Sequence, residues 1–600
     1  MPDHKIRLSQ AITTFSPGAM VDLPEDSVIV GGLDGWQYDR NEPEPIISEP
    51  RLVQRISAIL QTRSIFLKRP PVSSDKGFGT FHPNIQCYRF PGWFVVQRTE
   101  PSEVGFRRRR LIPYSALEKG RFKYDDGKRE KVVPMRFVRS CKNGHVDDID
   151  WLFFVHHGEE KNCPYKSLWI EERGTSGDIS NIHIVCSCGK GESLATAANP
   201  KASTLGKCSG SRPWLGELAR EECSENSRLL IRTASNAHFP QTLSAISIPE
   251  MISPLQESVK RHWAVLDEVC SIEDLKAARK FNPELKAAFQ GMSDDEVWAA
   301  IEESRGGSDS DDRKLKDVEF ATLCSSKEEI GENKPDGDFY ARALAKNEWD
   351  APWMQGIQRV VLVHRLREVV ALLGFTRIEP ATKDVSGELD IGVQRADIAR
   401  DISWLPACEH RGEGVFLQFS EEALRNWQSR PKVRERATML YEGYKKWAGV
   451  DATKLEKFPG PIYYMLHSFS HLLLTAISLE CGYPASSLRE RIFVSEGCGG
   501  ILIYTGSSDA EGTLGGLVQA GREIRRHVRM ALEAGKLCSN DPVCSHHEYS
   551  VHDEQSLNGA ACHGCLLISE TSCEQHNVFL DRSLVLETVG YSGSEFFPDT

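Results

Sequence analysis

Cysteine is the residue type that most clearly indicates chemistry in this 600-residue chain. Of its 17 cysteines, six stand singly and eleven fall into two groups, at 141–223 and at 538–573. Isolated cysteines behave as small buried hydrophobic residues, whereas thiolates gathered at short spacings are ligands that zinc prefers. The two groups therefore predict two metal sites.

The first group offers more ligands than one zinc ion needs. Two motifs, CKNGH from residue 141 and CSCG from residue 186, combine cysteines with glycines, and such glycines let backbone amides turn toward the thiolates. His145 and Cys223 are close enough in sequence to be further candidates. We predict one structural zinc here, with four favoured ligands and one substitute: Cys141, Cys186, Cys188 and Cys208, then Cys163.

The second group has a more specific spacing. Cys538 and Cys544 precede the C-x-x-C pair Cys562 and Cys565, and Cys573 follows. C-x-x-C is the common spacing of zinc knuckles. We predict a second structural zinc bound by four of these five cysteines, with three histidines as spare ligands: His546, His547 and His563. In neither group does the sequence leave an open metal position beside a carboxylate, so both sites are predicted to be structural.

A pair of histidines supports an alternative interpretation, in which the protein is an enzyme. His467 and His471 lie four residues apart, on one face of a predicted helix. The spacing is that of the H-E-x-x-H zinc hydrolases, but Ser468 stands where the general base glutamate belongs. Acidic residues of the same region could join the histidines around a metal: Glu480, Asp509 and Glu511. The alternative function is therefore a metal-dependent hydrolase or nuclease centred on His467 and His471.

Residues 101–140 are a basic segment in an acidic chain. They hold twelve lysines and arginines against five acidic residues, a net charge of +7, whereas the whole chain carries −12. Arginine binds phosphate bidentately, and the aromatic residues interleaved here could stack on unpaired bases. We predict that this segment binds DNA, single-stranded or at a duplex end, through eight cations: Arg107, Arg108, Arg109, Arg110, Arg121, Lys123, Lys128 and Arg129.

The remaining composition excludes several classes of protein. The sequence contains no G-x-x-x-x-G-K-[ST] motif, so this chain is not predicted to hydrolyse ATP by itself. It has no run of 18 apolar residues, and its first residues, MPDHKIRLSQ, form no apolar signal segment. We expect a cytoplasmic protein with no membrane span, in which free thiols stay reduced.

The elements that must position these residues indicate an α+β, multidomain protein. The four predicted domains are an irregular β-rich N-terminal region carrying the basic segment, a first zinc-binding domain, a mainly helical middle region with a linker near 304–338, and a C-terminal α/β module with the second zinc: 1–140, 141–250, 251–454 and 455–600.

Apolar periodicity predicts several of the individual elements. A nearly all-apolar run predicts a long buried helix from Met354 to Leu373, and a short strand is predicted over Val415 to Phe419. The C-terminal module is predicted to contain two helices and two strands, at 463–481, 514–537, 492–495 and 500–504.

Several long segments resemble the DrmB family, the accessory subunits of the DISARM anti-phage system. They are RFVRSCKNGHVDDIDW (136–151), EERGTSGD (171–178), RTASNAHFPQ (232–241), CGYPASSLRERI (481–492), IYTGSSDAEGTLGGL (503–517) and ACHGCLLISETSCE (561–574). The last domain is also similar to the cysteine-bearing module at the C-terminal end of MrfA-like DNA-repair helicases. The resemblance implies a non-catalytic subunit that assembles on invading DNA with a separate helicase, DrmA. The cysteines are the residues that carry over, and no catalytic set does.

Overall fold

The computed structural model describes residues 6–24, 26–39, 43–62, 65–72, 82–102, 105–159, 163–165, 167–174, 178–199, 203–249, 254–305, 314–354, 356–379, 384, 387, 394–449, 455–495, 497–505, 515–547 and 557–597. The chain forms two compact units, which we call unit 1 (Met1–Ala245 and Glu368–His410) and unit 2 (Ile246–Arg367 and Arg411–Thr600). Both contain helices and strands, so the predicted α+β class is confirmed.

Unit 1 is built around a six-stranded antiparallel sheet. In spatial order its strands are Val132–Pro134, Trp93–Pro101, Arg107–Pro113, Leu168–Glu172, Ile182–Cys186 and Gly191–Ser193. Buried side chains of these strands, among them Val95, Leu111 and Ile184, share one core with Trp151 and Phe154. The sheet joins strands from before and after residue 140. The domain boundary predicted there therefore lies inside unit 1.

Smaller elements complete unit 1. Three short sheets comprise Met20–Asp22, Ser27–Val30 and Cys87–Arg89; Leu117–Glu118, Arg121–Lys123 and Arg129–Glu130; and Val146–Asp147, Phe137–Ser140 and Arg228–Ile231. Further strands are Trp36–Gln37, Ile46–Ile47, Phe66–Lys68, Asn84–Ile85 and Phe239–Ile246, and the α-helices are Pro50–Leu60, Trp151–His156 and Leu194–Ala198. This irregular β-rich architecture agrees with the prediction from the sequence.

Unit 2 begins with helices, as predicted for the middle of the chain. They are Pro254–Arg261, Trp263–Leu266, Ile272–Phe281, Pro283–Ala288, Asp294–Arg305, Leu315–Leu323 and Lys346–Trp349. A capping box begins the helix Asp294–Arg305: Glu296 N donates to Ser293 Oγ over 3.2 Å, and Ser293 N donates to Glu296 Oε2 over 2.8 Å. Of the linker predicted near 304–338, residues 306–313 lie outside the described residues, and the rest includes the helix Leu315–Leu323 and the strand Glu329–Gly331.

The helix predicted from Met354 to Leu373 is wrong. Met354 ends a short 3-10 helix, and residues 357–373 belong to the strand Ile357–Thr376. This strand is part of a sheet whose order is Glu329–Gly331, Phe339–Ala343, Ile357–Thr376, Trp404–Phe419, Cys498–Thr505 and Leu488–Ser495. Nearly every residue of the strand is buried, so both of its faces are covered. A strand covered on both sides has no alternation of polar and apolar residues, and its apolar run resembles that of a buried helix.

The C-terminal part of unit 2 packs helices against these strands. The helices are Glu421–Ser429, Pro431–Ala448, Gly460–Cys481, Gly516–Arg522 and Ile524–Gly535. The helix predicted over 463–481 is confirmed, whereas the one predicted over 514–537 is divided in two at Glu523. By length and composition Gly460–Cys481 could cross a membrane, but 89% of its most apolar window is buried inside the protein, as in the core helix of a soluble fold.

Candidate metal centres and nucleic-acid interface

In unit 1, four potential ligands converge at the turn CKNGH. We call them the His145 group: Cys141, His145, Cys208 and Cys223, whose ligand atoms all lie within 4.8 Å of one another. Strand Phe137–Ser140 ends just before Cys141, and Gly144, at φ +82°, closes the turn. Cys141 Sγ lies 3.4 Å from His145 Nδ1 and 4.0 Å from Cys223 Sγ.

These distances fit a tetrahedral zinc ion. Zn–N and Zn–S bonds of about 2.0–2.3 Å give tetrahedral edges of about 3.3–3.8 Å. The other ring nitrogen of the histidine, His145 Nε2, lies 2.5 Å from the carboxylate of Glu221, and such a carboxylate fixes the orientation of a ligating imidazole. Hydrogen bonding with Cys141, His145 and the Gly210 amide lowers the pKa of Cys208 to about 4. The group can therefore supply a thiolate.

A second group of unit 1 lies at the end of the six-stranded sheet. It is the His156 group: His156, Cys163, Cys186 and Cys188. His156 ends the helix Trp151–His156, and its Nδ1 donates to the carbonyl of Leu152 over 2.8 Å. The ring therefore presents Nε2, 3.3 Å from Cys188 Sγ, to the interior of the group. Cys163 Sγ and Cys186 Sγ are 3.8 Å apart, which completes a second set of tetrahedral dimensions.

The third group, in unit 2, contains only cysteines. It is the four-cysteine group: Cys538, Cys544, Cys562 and Cys565. Sγ atoms are separated by 3.4 Å between Cys538 and Cys562, and by 3.8 Å between Cys544 and Cys565. The Gly564 amide donates to Cys562 Sγ over 3.3 Å, as the glycine of a zinc knuckle does. This donor set and its dimensions also fit zinc.

The structure divides the first cysteine cluster differently from the sequence interpretation. Cys141 and Cys208 lie in the His145 group, whereas Cys186 and Cys188 lie in the His156 group with Cys163. The favoured set of four cysteines is therefore not brought together, because two separate turns draw on one stretch of sequence. His145 and Cys223 were already candidates, but His156 had no motif around it and was missed.

The second cluster is also rearranged in one respect. Cys573, which follows the C-x-x-C pair in sequence, lies 3.2 Å from His467 Nε2 and belongs to a fourth group: His467, His471, Glu490 and Cys573. Glu480, proposed to join the histidines, instead lies 2.6 Å from Arg526. Asp509 and Glu511 lie outside the described residues.

The predicted DNA-binding cations fall into two classes. Three arginines of the strand Arg107–Pro113 contact side chains of the two neighbouring strands. Arg109 is paired with Glu172 at 2.8 Å and Arg110 with Glu100 at 3.0 Å, and Arg108 stacks 4.4 Å above the ring of Trp169. Arg129 is exposed but lies 3.4 Å from Glu118. The other four are exposed, and no described ion pair involves them: Arg107, Arg121, Lys123 and Lys128.

Glu100 organises the aromatic residues beside this strand. Its carboxylate accepts hydrogen bonds of 3.0 Å from Arg110 Nε, Tyr124 Oη and Trp169 Nε1. Burial and the bond to Glu100 raise the pKa of Tyr124 to about 12, and its ring contacts Phe122 at 5.0 Å. These two half-buried rings are part of the fold, so the exposed cations are the stronger candidates for contact with DNA.

Comparison with known proteins links these sites to one family. A family model described as a domain of unknown function (DUF8724) matches residues 7–239, and one described as the MrfA Zn-binding domain matches residues 469–566. The DISARM protein DrmB of Bacillus paralicheniformis is 32% identical over 590 residues, covering 96% of this chain and 99% of that protein. The chain belongs to the DrmB family of DISARM proteins.

The similarity of the sequence motifs to DrmB is therefore confirmed, as is the MrfA-like module. The zinc-binding model covers all four residues of the four-cysteine group. In this DrmB family member, the zinc-binding character predicted for the second cysteine cluster thus rests on two independent observations, the family match and the geometry.

Proposed function

We propose that this DrmB family member is a non-catalytic, DNA-binding accessory subunit that assembles with a separate DrmA-like helicase to restrict invading phage DNA. The observation that carries the proposal is the match to a DISARM protein over 99% of that protein's length. The module similar to part of a helicase, in a chain without a Walker A sequence, supports the view that the motor belongs to another subunit.

Three zinc ions would stabilise the domains of this subunit. We assign one each to the His145 group, the His156 group and the four-cysteine group, one more than the sequence predicts. Each group already offers four protein ligands, and four-coordinate sites of cysteine and histidine contribute folding energy rather than catalysis. We also propose a cytoplasmic location, because that compartment keeps free thiols reduced.

DNA would be held by the four exposed cations of the basic segment. Arg107, Arg121, Lys123 and Lys128 lie on short strands or turns of unit 1 and can reach phosphates without breaking a described ion pair. Because the chain outside residues 101–140 carries a net charge of −19, the remaining surface would repel DNA. Binding by the isolated subunit should therefore be weak, and a neighbouring helicase should strengthen it by effective concentration.

The alternative hydrolase is less well supported. His467 and His471 are fully buried, and each is within 3.2 Å of Glu490. A hydrolytic metal needs a coordination position for water and access for a substrate. The described residues around these histidines provide four protein ligands and no solvent-exposed position.

Co-purification tests the assembly directly. A tagged DrmA-like helicase from the same genome should retain this chain through size-exclusion chromatography at micromolar concentration, through an interface of more than about 2,000 Å². The pair should bind single-stranded or end-containing DNA more tightly than either chain alone. Separate elution, or a pair that binds DNA no better than the helicase, would contradict the proposal.

A further inference from the structure

The fourth group lies in the interior of unit 2 and is distinct from the three zinc sites above. We call it the His467 group. The helix Gly460–Cys481 supplies His467 and His471, the strand Leu488–Ser495 supplies Glu490, and Cys573 comes from the C-terminal loops. All four residues are buried, and the side chains of both histidines and of Glu490 are 0% exposed.

The ligand atoms of the group point toward one another. His467 Nε2 lies 2.8 Å from Glu490 Oε1 and 3.2 Å from Cys573 Sγ, and His471 Nε2 lies 3.2 Å from the same carboxylate oxygen. All four ligand atoms lie within 4.8 Å of one another. The two separations of 3.2 Å approach the edges of about 3.3–3.8 Å of a tetrahedral zinc site, whereas the 2.8 Å between His467 Nε2 and Glu490 Oε1 is shorter and would lengthen around an ion.

The surroundings fix each ligand from the outside. His471 Nδ1 donates to the Leu566 carbonyl over 2.8 Å, and His467 Nδ1 faces the Phe579 carbonyl at 3.3 Å. Since a carbonyl can only accept, both rings carry their proton on Nδ1. Glu490 accepts from the Ser470 hydroxyl and from the Glu574 amide. Cys573 Sγ accepts from two amides, those of Gln575 at 3.3 Å and Asn577 at 3.2 Å.

This arrangement suits a positive charge at its centre. In neutral rings protonated on Nδ1, both Nε2 atoms present lone pairs, and they face a carboxylate oxygen and a sulfur that also offer lone pairs. Such groups repel one another unless ring or thiol protons, or a metal cation, lie between them, and a metal cation can contact all four ligand atoms at once. The outer hydrogen bonds of the histidines and the carboxylate are those that usually orient metal ligands.

We propose that His467, His471, Glu490 and Cys573 bind a fourth zinc ion, which has a structural role. Two imidazoles and a thiolate suit zinc better than magnesium or calcium, which prefer oxygen ligands. Four protein ligands leave no position for water, so the site would tie the central helix to the strand and the C-terminal loops.

Charge balance explains why this site can be fully buried. Glutamate and thiolate together neutralise Zn²⁺, so the complete site carries no net charge and has little desolvation penalty. The four-cysteine group with one zinc ion bound would carry two net negative charges. There the cationic Arg582 helps to lower the pKa of Cys565. The family zinc-binding model ends at residue 566 and begins at residue 469, so His467 and Cys573 lie beyond it.

Native mass spectrometry of the full-length protein tests the assignment. The wild type should carry four zinc ions per chain, and Cys573→Ser should carry three. The matched control is Cys408→Ser, because Cys408 is also buried and lies 3.2 Å from a histidine, His410 Nε2, but belongs to none of the four groups in the described residues. This control should retain all four ions.

Two further results keep the proposal open to refutation. If Cys573→Ser does not fold, Glu490→Gln decides: loss of one ion relative to the wild type supports the fourth site, and an unchanged count overturns it. If the variant folds and keeps as many zinc ions as the wild type, the group is a hydrogen-bonded cluster without a metal. Glu490→Gln, which keeps the side-chain shape but removes its charge, should also lose one ion while Cys408→Ser does not.

Discussion

Cys163 Sγ lies 3.8 Å from Cys186 Sγ, although 23 residues separate the two cysteines. The contact draws Cys186 and its neighbour Cys188 away from Cys141 and toward His156. A single cysteine-rich stretch thus forms two separate ligand groups in unit 1, one at each of two turns. Separate groups should lose their metal ions independently.

A pair of single-site variants tests this independence. Cys163→Ser should remove one zinc ion, Cys223→Ser should remove another, and the double variant should lack both, because each serine leaves its own group with three ligands. Native mass spectrometry counts the ions. Cys270→Ser, at an exposed cysteine outside every group, should leave the count unchanged. A double variant that lacks only one ion would mean that the two groups share a single site.

The candidate metal ligands were easier to predict from the sequence than the way in which they group. The C-x-x-C spacing at 562–565 predicted two members of the four-cysteine group, because both cysteines lie in one tight turn. In the stretch 141–223, by contrast, ligands come from turns that only the folded sheet brings together. His156 lies on a helix end and approaches Cys188 through tertiary packing alone. No spacing rule could have selected it.

The wrong helix prediction and the unpredicted ion pairs of the basic segment have a related cause. Ile357–Thr376 is covered on both faces, and its composition alone could not distinguish a buried strand from a buried helix. Likewise, the sequence showed the charge of residues 107–110, but it did not show which residues contact these arginines. Glu172 and Trp169 follow more than 50 residues later, and only strand pairing brings them to the arginines.

We expect Glu100 to stabilise unit 1. Glu100→Gln would place an amide N–H against one of three donors, Arg110, Tyr124 or Trp169. Loss of a charge-assisted hydrogen bond of this kind should lower the free energy of unfolding by about 1.5–3 kcal/mol. Denaturation with urea at pH 7 measures the change. Glu118→Gln, at an exposed pair with Arg129, is the control and should change it by less than about 1 kcal/mol.

The effect of Glu100→Gln should depend on pH. Burial alone would raise the pKa of Glu100, but hydrogen bonds from Trp169, Arg110 and Tyr124 outweigh it and lower the pKa. The stabilisation is therefore present above the unfolded pKa of about 4.3 and is lost as the pH falls through the lower folded value. The difference between wild type and variant should shrink in that range. A difference that grows as the pH falls would contradict this account.

The isolated protein should hydrolyse neither ATP nor DNA. The chain lacks a Walker A sequence, and the buried His467 group lacks the exposed position that hydrolysis requires. Phosphate release and nuclease assays with Mg²⁺, Mn²⁺ or Zn²⁺ test this expectation. Turnover that survives repurification and disappears in the His467→Ala, His471→Ala double variant would instead favour the metal-dependent hydrolase. The melting temperature of that variant shows whether the loss reflects unfolding.

DNA affinity should depend on the four exposed cations and on salt. Neutralising four phosphates gives a slope of log K against log salt of about −3.6. Replacing Arg107, Arg121, Lys123 and Lys128 by serine should bring that slope close to zero, because a surface without these cations releases no condensed counterions from the DNA. Fluorescence anisotropy of a labelled duplex between low and physiological salt measures both slopes.

A charge-matched control separates this local effect from net charge. Four exposed lysines of unit 2 serve this purpose when replaced by serine: Lys276, Lys280, Lys286 and Lys346. The control lowers the total charge by the same four units, so a general electrostatic effect would weaken both variants equally. We expect the control to keep the wild-type slope. If instead the unit 1 variant keeps it, the phosphates are bound elsewhere and the basic segment is only a solvated surface.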